Sequence, residues 1–293
     1  VSTSDSDAPI SPLAGLGIAV LAVSTSAILV RWSAAPSLIK AFYRVLFTVA
    51  LLAPVALVRH RDALATISGR DLLAAGGAGV ALAAHFASWF ESLNHTTVAA
   101  SVTLVQSQPL FVAVGAWAVL DERVSRRTAV GIGVALAGMA LMSVSDFLTA
   151  GGAPRPLLGN GLAVVGAVTA AAYVLTGRSV RSRVALVPYV VVVYAVCAAA
   201  LLVVAVGRGD PLTGYPPREW LLFLGMAVGP GVFGHTVINW ALAHLESSVV
   251  SVSLLGEPVG STILALFLLG EIPTLPTVLG GAVVLGGIYV SAS

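Results

Sequence analysis

Apolar residues run through this chain in long blocks separated by short polar links. A bilayer-spanning helix needs about twenty mostly apolar residues. At that length the pattern predicts ten spans, at 13–30, 38–58, 72–92, 97–120, 128–147, 159–177, 187–206, 219–242, 248–269 and 276–291. The Gly/Pro-rich stretch TAGGAPRPLL, residues 149–158, separates the fifth span from the sixth and marks the boundary between halves. The predicted organisation is a tail at 1–12, a first five-helix repeat at 13–148, the linker at 149–158 and a second five-helix repeat at 159–293.

The halves repeat each other. From Pro109 the chain reads PLFVAVGAWAVLDERVSRRTAVGIGVALAG, and from Pro258 it reads PVGSTILALFLLGEIPTLPTVLGGAVVLGG. One fixed offset aligns Pro109 with Pro258, Glu122 with Glu271, Gly131 with Gly280 and Gly138 with Gly287, without a gap. Segment one (GLGIAVLAVST from Gly15) resembles segment six (GNGLAVVGAVT from Gly159), and His95 falls opposite His244. An odd number of spans per half makes the second half enter the membrane in the opposite direction. The expected fold is therefore an all-α membrane protein, with ten transmembrane helices forming two inverted five-helix repeats around a central cavity. A proline inside an apolar span frees the carbonyl four residues back, which is tolerated only where protein or water satisfies it. Pro109 and Pro258 are accordingly predicted as helix-break and gating points, with a binding site between the repeats.

Composition agrees with the pattern. Apolar residues make up 58% of the chain and charged residues 10%, against about a quarter charged in soluble domains. The lipid bilayer is thus the expected surrounding, and the net charge of +2 gives no reason to expect nucleic acid. Lys and Arg in short loops set orientation. Arg59, Arg61 and Arg70, then Arg123, Arg126 and Arg127, then Arg178, Arg181 and Arg183 fall on one side. The other side carries Arg31, Arg155, Arg208 and Arg218, with Lys40 and Arg44 flanking. The richer side is read as cytoplasmic, together with both termini. The start, VSTSDSDAPISP, lacks the basic region of a signal peptide, so the first helix is expected to be retained. Cys197 is the only cysteine, which excludes an intrachain disulfide or a cysteine metal cluster. Trp32, Trp117 and Trp220 sit at span ends, and Gly225 and Gly229 form a small-residue pair expected to allow close helix packing.

Ionisable and polar residues at membrane depth are the candidate chemistry. His85, Ser88, Trp89 and Ser92 share one stripe of span three, and His235 and Asn239 pair similarly on span eight. They either line a shared cavity or hydrogen-bond between helices. No carboxylate or second histidine stands at ligand spacing beside either histidine, so no metal site is expected. Glu257 precedes Pro258 near mid-span, where its repeat partner is Gln108 before Pro109. Glu257 either carries a proton or binds an ammonium group, or it caps a broken helix. Lys40, Tyr43 and Arg44 open span two; Lys40 is read as snorkelling to the surface, and Arg44 reaches either the surface or the cavity. Gln106 and Tyr173 complete the candidate set for substrate binding: His85, Trp89, Gln106, Gln108, Tyr173, His235, Asn239, Glu257, Tyr43 and Arg44. Glu91 is read as solvated, and Glu122 and Glu271 as structural.

The doubled pattern of a mid-helix proline, an apolar run to Glu and a Gly-bearing helix resembles the EamA repeat of the drug/metabolite transporter superfamily. Within that superfamily the chain is similar to aromatic amino acid exporters of the YddG type. The resemblance implies a carrier in the bacterial inner membrane that exports amino acids or similar small metabolites by alternating access. It is expected to work as a monomer without a cofactor. The prolines and glutamates are the only family landmarks it supplies. An intramembrane enzyme is the competing class; no HExxH, GxSxG or P-loop pattern is present. A channel is the third, disfavoured because the symmetry lies within one chain.

Overall fold

In a computed structural model the described residues are 11–120, 125–149, 154–238 and 253–292. They are built of helices: α1 (Pro12–Ser24), α2 (Ser26–Trp32), α3 (Ser37–Arg59), α4 (Arg61–Ala65), α5 (Gly69–Ser92), α6 (Val98–Val105), α7 (Gln108–Leu120), α8 (Arg126–Thr149), α9 (Pro156–Arg181), α10 (Leu186–Gly207) and α11 (Pro217–Met226). A π-helical segment, Ala227–Thr236, continues α11, and α12 (Gly256–Leu269) and α13 (Leu275–Ala292) complete the chain. Taking α1 with α2 and α6 with α7, six stretches are long and apolar enough to cross a membrane, and Gly256–Leu269 and Leu275–Val290 are shorter apolar helices. Local chemistry fixes several ends. Ser11, Ser68 and Thr97 cap α1, α5 and α6 by accepting from Ala14, Asp71 and Ala100 amides. Gly270 closes α12 in the left-handed region at φ 68°.

The apolar spans are broken where the two prolines predict, and in two further places. Span four turns at Gln106 and Ser107, between α6 and α7, and the Ser107 hydroxyl donates to the Leu104 carbonyl at 2.6 Å. The repeat-equivalent position, Leu255, is a turn just before α12. Both breaks lie three residues before their proline, the stretch in which the missing N–H and the ring clash disturb the helix. Span one breaks without a proline: Thr25 interrupts it and its hydroxyl donates to the Ala22 carbonyl at 2.6 Å. Span eight adopts the π-helix around Pro230, one way for a helix to accommodate a missing amide.

Helix pairing links the halves. α8 packs on α13, α3 on α10 and α6 on α12; α5 packs on α9 as the π segment packs on α1. Exchanging the halves returns the same set of pairs. The α8–α13 crossing depends on glycine. A Cβ on Gly138 would come within 2.8 Å of the Gly280 carbonyl oxygen and 2.7 Å of the Val284 amide. A Cβ on Gly287 would meet the Gly131 carbonyl oxygen at 2.6 Å and the Ala135 amide at 2.5 Å. These contacts are reciprocal under the repeat offset. The expectation for Gly225 and Gly229 does not hold: added methyls there would meet their nearest neighbours at 3.8 Å, ordinary contact. Close approach on span eight occurs at Gly231, against Thr48, and at Gly234, against Val23.

Candidate functional site

The irregular segments converge on one cavity. Ser26 follows the Thr25 break, Gln106 sits in the second break, Glu257 follows the third, and Pro230 lies in the π segment; all four line the same space of about 90 Å³. The straight helices α3 and α5 add Arg44, His85, Phe86 and Trp89, and Gln108 enters from the start of α7. Freed backbone in a span requires polar company, and the chain assembles that company at this point.

Arg44 is buried at 2% exposure. Its Nη1 donates to the Ser26 hydroxyl at 3.1 Å, and its guanidinium carbon lies 4.6 Å from the Phe86 ring centroid and 5.6 Å from that of Phe90. Such ring faces stabilise a desolvated cation. Glu257 lines the same cavity, where its Oε2 accepts from Gln106 Nε2. No ion pair joins Arg44 to Glu257. Each is thus held by its own neutral neighbours, Arg44 by Ser26 and Glu257 by Gln106. The Arg44 alternative of the sequence is resolved in favour of the cavity, because one turn of α3 carries it beneath Phe86 and Phe90.

His85 Nδ1 lies 2.9 Å from the Gly166 carbonyl of α9. A carbonyl only accepts, so Nδ1 carries the proton and Nε2 of the neutral ring is an acceptor. Trp89 stacks on His85 with centroids 5.8 Å apart. It is 4% exposed and its Nε1 has no hydrogen-bond partner.

Six predicted residues therefore meet here: Arg44, His85, Trp89, Gln106, Gln108 and Glu257. Tyr43 does not. It faces away, donating to the Leu212 carbonyl at 2.6 Å and stacking on Phe223 at 5.1 Å. Tyr173 lies on α9 near Tyr189 and Tyr194 and does not line the cavity. Pro258 is buried in α12, whereas Pro109 is exposed at the start of α7. The backbone of His235 belongs to the π segment; its side chain and all of Asn239 lie outside the described residues. Sequence reasoning passed over Ser26 and Phe86. The Ser-Thr-Ser run at 24–26 inside an apolar span was a usable signal for Ser26, whereas nothing marks Phe86 among the other phenylalanines.

Polar clusters tie the helix ends. Lys40 is buried at 3% exposure and its Nζ donates to the Val30 carbonyl at 3.1 Å. It does not snorkel, because the end of α2 supplies an acceptor inside the protein. Glu219, at 4% exposure, accepts from the Ser33 hydroxyl at 2.5 Å and the Ala34 amide at 2.9 Å. Glu271 accepts from the Val98 amide at 2.9 Å and pairs with Arg31 at 2.5 Å, so it caps α6 of the other half. Glu91 accepts from Asn94 at 3.2 Å and lies 3.1 Å from His95 Nε2. Elsewhere Arg183 donates to Asp71 at 2.7 and 3.0 Å, and this bonding raises the Arg183 pKa above its ordinary value. Among the described residues no group of three His, Cys, Asp or Glu side chains could hold a metal ion.

Comparison with known proteins places this architecture. Two uncharacterized transporters of Archaeoglobus fulgidus are similar to the chain. One is 26% identical over 258 residues, 86% of each protein; the other is 28% identical over 271 residues, 85% of this chain and 92% of that one. A protein of solved crystal structure shares the fold with a TM-score of 0.65 at 21% identity, over 96% of both chains. The model of the EamA-like transporter family matches twice, over residues 12–144 and 157–293. With nearly its whole length matched in this way, the chain belongs to the EamA-like transporter family and is a multi-pass membrane transport protein.

Proposed function

We propose that this protein is a secondary transporter that exports amino acids, aromatic and other small neutral ones, across the bacterial inner membrane by alternating access. The observation that carries the reading is the pair of opposite charges that line one cavity without an ion pair between them. A guanidinium and a carboxylate lining one cavity, each kept by neutral neighbours, complement the carboxylate and ammonium of a zwitterion. A buried pair with no ligand to bind would be better closed on itself. Gln106 and Gln108 at the broken helix add adaptable polar contacts beside Glu257.

The architecture supports the mechanism. Ten spans in two five-span halves of opposite insertion put a pseudo-two-fold axis through the cavity, in keeping with helix pairs that survive exchange of the halves. A space of about 90 Å³ is below the roughly 300–1,000 Å³ of ligand pockets. The loaded carrier is therefore wider, and rocking of the halves supplies the width. The excess of Arg in the short loops of one side supports cytoplasmic termini. One chain holds both halves of the site, so a monomer suffices.

The test is flux of radiolabelled phenylalanine and threonine in proteoliposomes, with and without a pH gradient, for wild type and Glu257→Gln. Saturable flux, competed by zwitterionic amino acids and lost when Glu257 is neutralised, is the expected outcome. Flux that follows the pH gradient only while Glu257 is present adds proton coupling. Equal transport of simple amines and amino acids would replace this reading with a carrier of cationic amphiphiles.

A further inference from the structure

We propose that the Trp89 indole N–H is a binding donor for the substrate's carboxylate, acting together with the Arg44 guanidinium, so that the two select compounds with a free carboxylate. This rests on the amino acid reading above and assigns one of its charged ends to a second residue.

Buried polar groups in native proteins nearly always have a partner, and an exception calls for a reason. Trp89 Nε1 is one of two buried side-chain polar atoms without a partner among the described residues. The other, the Tyr189 hydroxyl, packs against Gly177 and is not on the cavity wall. Trp89 is on that wall, and no acceptor among the described residues lies within hydrogen-bond distance of its Nε1. Arg44 has only donors and Phe86 has no polar atom, while the acceptors of the wall, His85 Nε2 and the Gln106 and Gln108 side-chain oxygens, do not bond it. Glu257, the strong acceptor, is engaged by Gln106. A ligand that enters the cavity can supply the acceptor that Nε1 lacks.

The ring itself is not free to serve as a platform. One neighbour is His85, stacked at 5.8 Å with planes 25° apart. Phe90 meets it edge-on at 5.2 Å, and the Arg44 guanidinium carbon lies 6.0 Å from its centroid. These contacts fix the indole, and a fixed donor binds without the entropy loss of ordering it. Arg44 supplies the charge beside it. A guanidinium and an indole N–H, both donor-only groups on one wall, match an anion with at least two acceptor oxygens. A carboxylate is such a group, and Glu257 in the same cavity is left for the ammonium end.

The experiment compares phenylalanine with phenylethylamine, which lacks the carboxylate, binding to full-length protein, as wild type, Trp89→Phe and Arg44→Gln. Trp89→Phe keeps an aromatic ring, removes the donor and narrows the side chain, and phenylethylamine controls for the lost volume. The expected result is about tenfold weaker phenylalanine binding with phenylethylamine binding unchanged. Equal weakening of both ligands, or of neither, overturns the proposal by reducing Trp89 to packing. In parallel, wild-type protein labelled with ¹⁵N-tryptophan should show the Trp89 indole N–H resonance moving on addition of phenylalanine but not of phenylethylamine. No movement at saturation also overturns it, whatever the variant's folding. Loss of carboxylate discrimination in Arg44→Gln but not in Trp89→Phe removes this inference and leaves the amino acid reading standing. Failure of the wild type to bind phenylalanine at all removes both.

Discussion

At the scale of single residues, neighbours on α3 separate binding from support. Arg44 and Tyr43 are adjacent in sequence, so their side chains point about 100° apart around the helix. Arg44 enters the cavity beneath Phe86, whereas Tyr43 joins Trp220 and Phe223 and bonds Leu212. Arg44→Lys should weaken phenylalanine binding at least about tenfold, because a lysine ammonium loses both the planar fit over the rings and a bidentate grip on a carboxylate. Tyr43→Phe should leave binding within about twofold and lower stability by about 1 kcal/mol, the worth of one hydrogen bond. Equilibrium binding and thermal unfolding of the detergent-solubilised protein measure both. The sequence marked these residues as polar at depth but could not rotate the helix, because the apolar stripe of a membrane span faces lipid and protein alike. Residues flagged by stripe or by repeat fared better: His85 and Trp89 share a face one turn apart, and Gln108 and Glu257 flank the paired prolines.

At the scale of elements, what was legible depended on whether a break has a covalent cause. The breaks before Pro109 and Pro258 follow from a missing amide and were visible in the letters. The Thr25 break and the extent of the π segment were not, because they depend on what packs beside them: Val23 against Gly234, and Thr48 against Gly231. The glycine pairs divide the same way. Gly131, Gly138, Gly280 and Gly287 stood out through the repeat, and α8 and α13 meet across them. Gly225 and Gly229 stood out only by spacing and have room for a methyl. Gly138→Val and Gly287→Val should therefore each destabilise the protein by about 1–3 kcal/mol through overpacking against backbone. Gly225→Ala should stay within about 0.5 kcal/mol of wild type. Unfolding midpoints of the three variants in one detergent decide this; equal shifts for all three would mean that α8 and α13 do not cross as closely as their backbones indicate.

At the scale of the whole molecule, the two halves carry latches at equivalent places. Glu219 is the third residue of α11 and holds the loop before α3, through Ser33 and Ala34. Asp71 is the third residue of α5 and holds the loop before α10, through Arg183. On the proposed inverted arrangement these latches would lie at opposite ends of the molecule, with Asp71 on the proposed cytoplasmic side. Both are closed here, which agrees with a cavity too small for an amino acid. Alternating access requires one to open while the other stays shut. A single cysteine in the cavity can report which one opens, in a Cys197→Ala, Ser26→Cys background. Asp71→Asn should raise labelling by an impermeant maleimide from the cytoplasmic side, and Glu219→Gln should raise it from the outside. The Glu219 effect should be the larger, up to about tenfold, since its hydrogen bonds are buried and charge-assisted, whereas the Asp71 partner is half exposed to water that screens the pair. Labelling that rises from the same side in both variants would place the two latches at one end. The halves would then be parallel rather than inverted, and access would have to alternate by some route other than rocking about a shared axis.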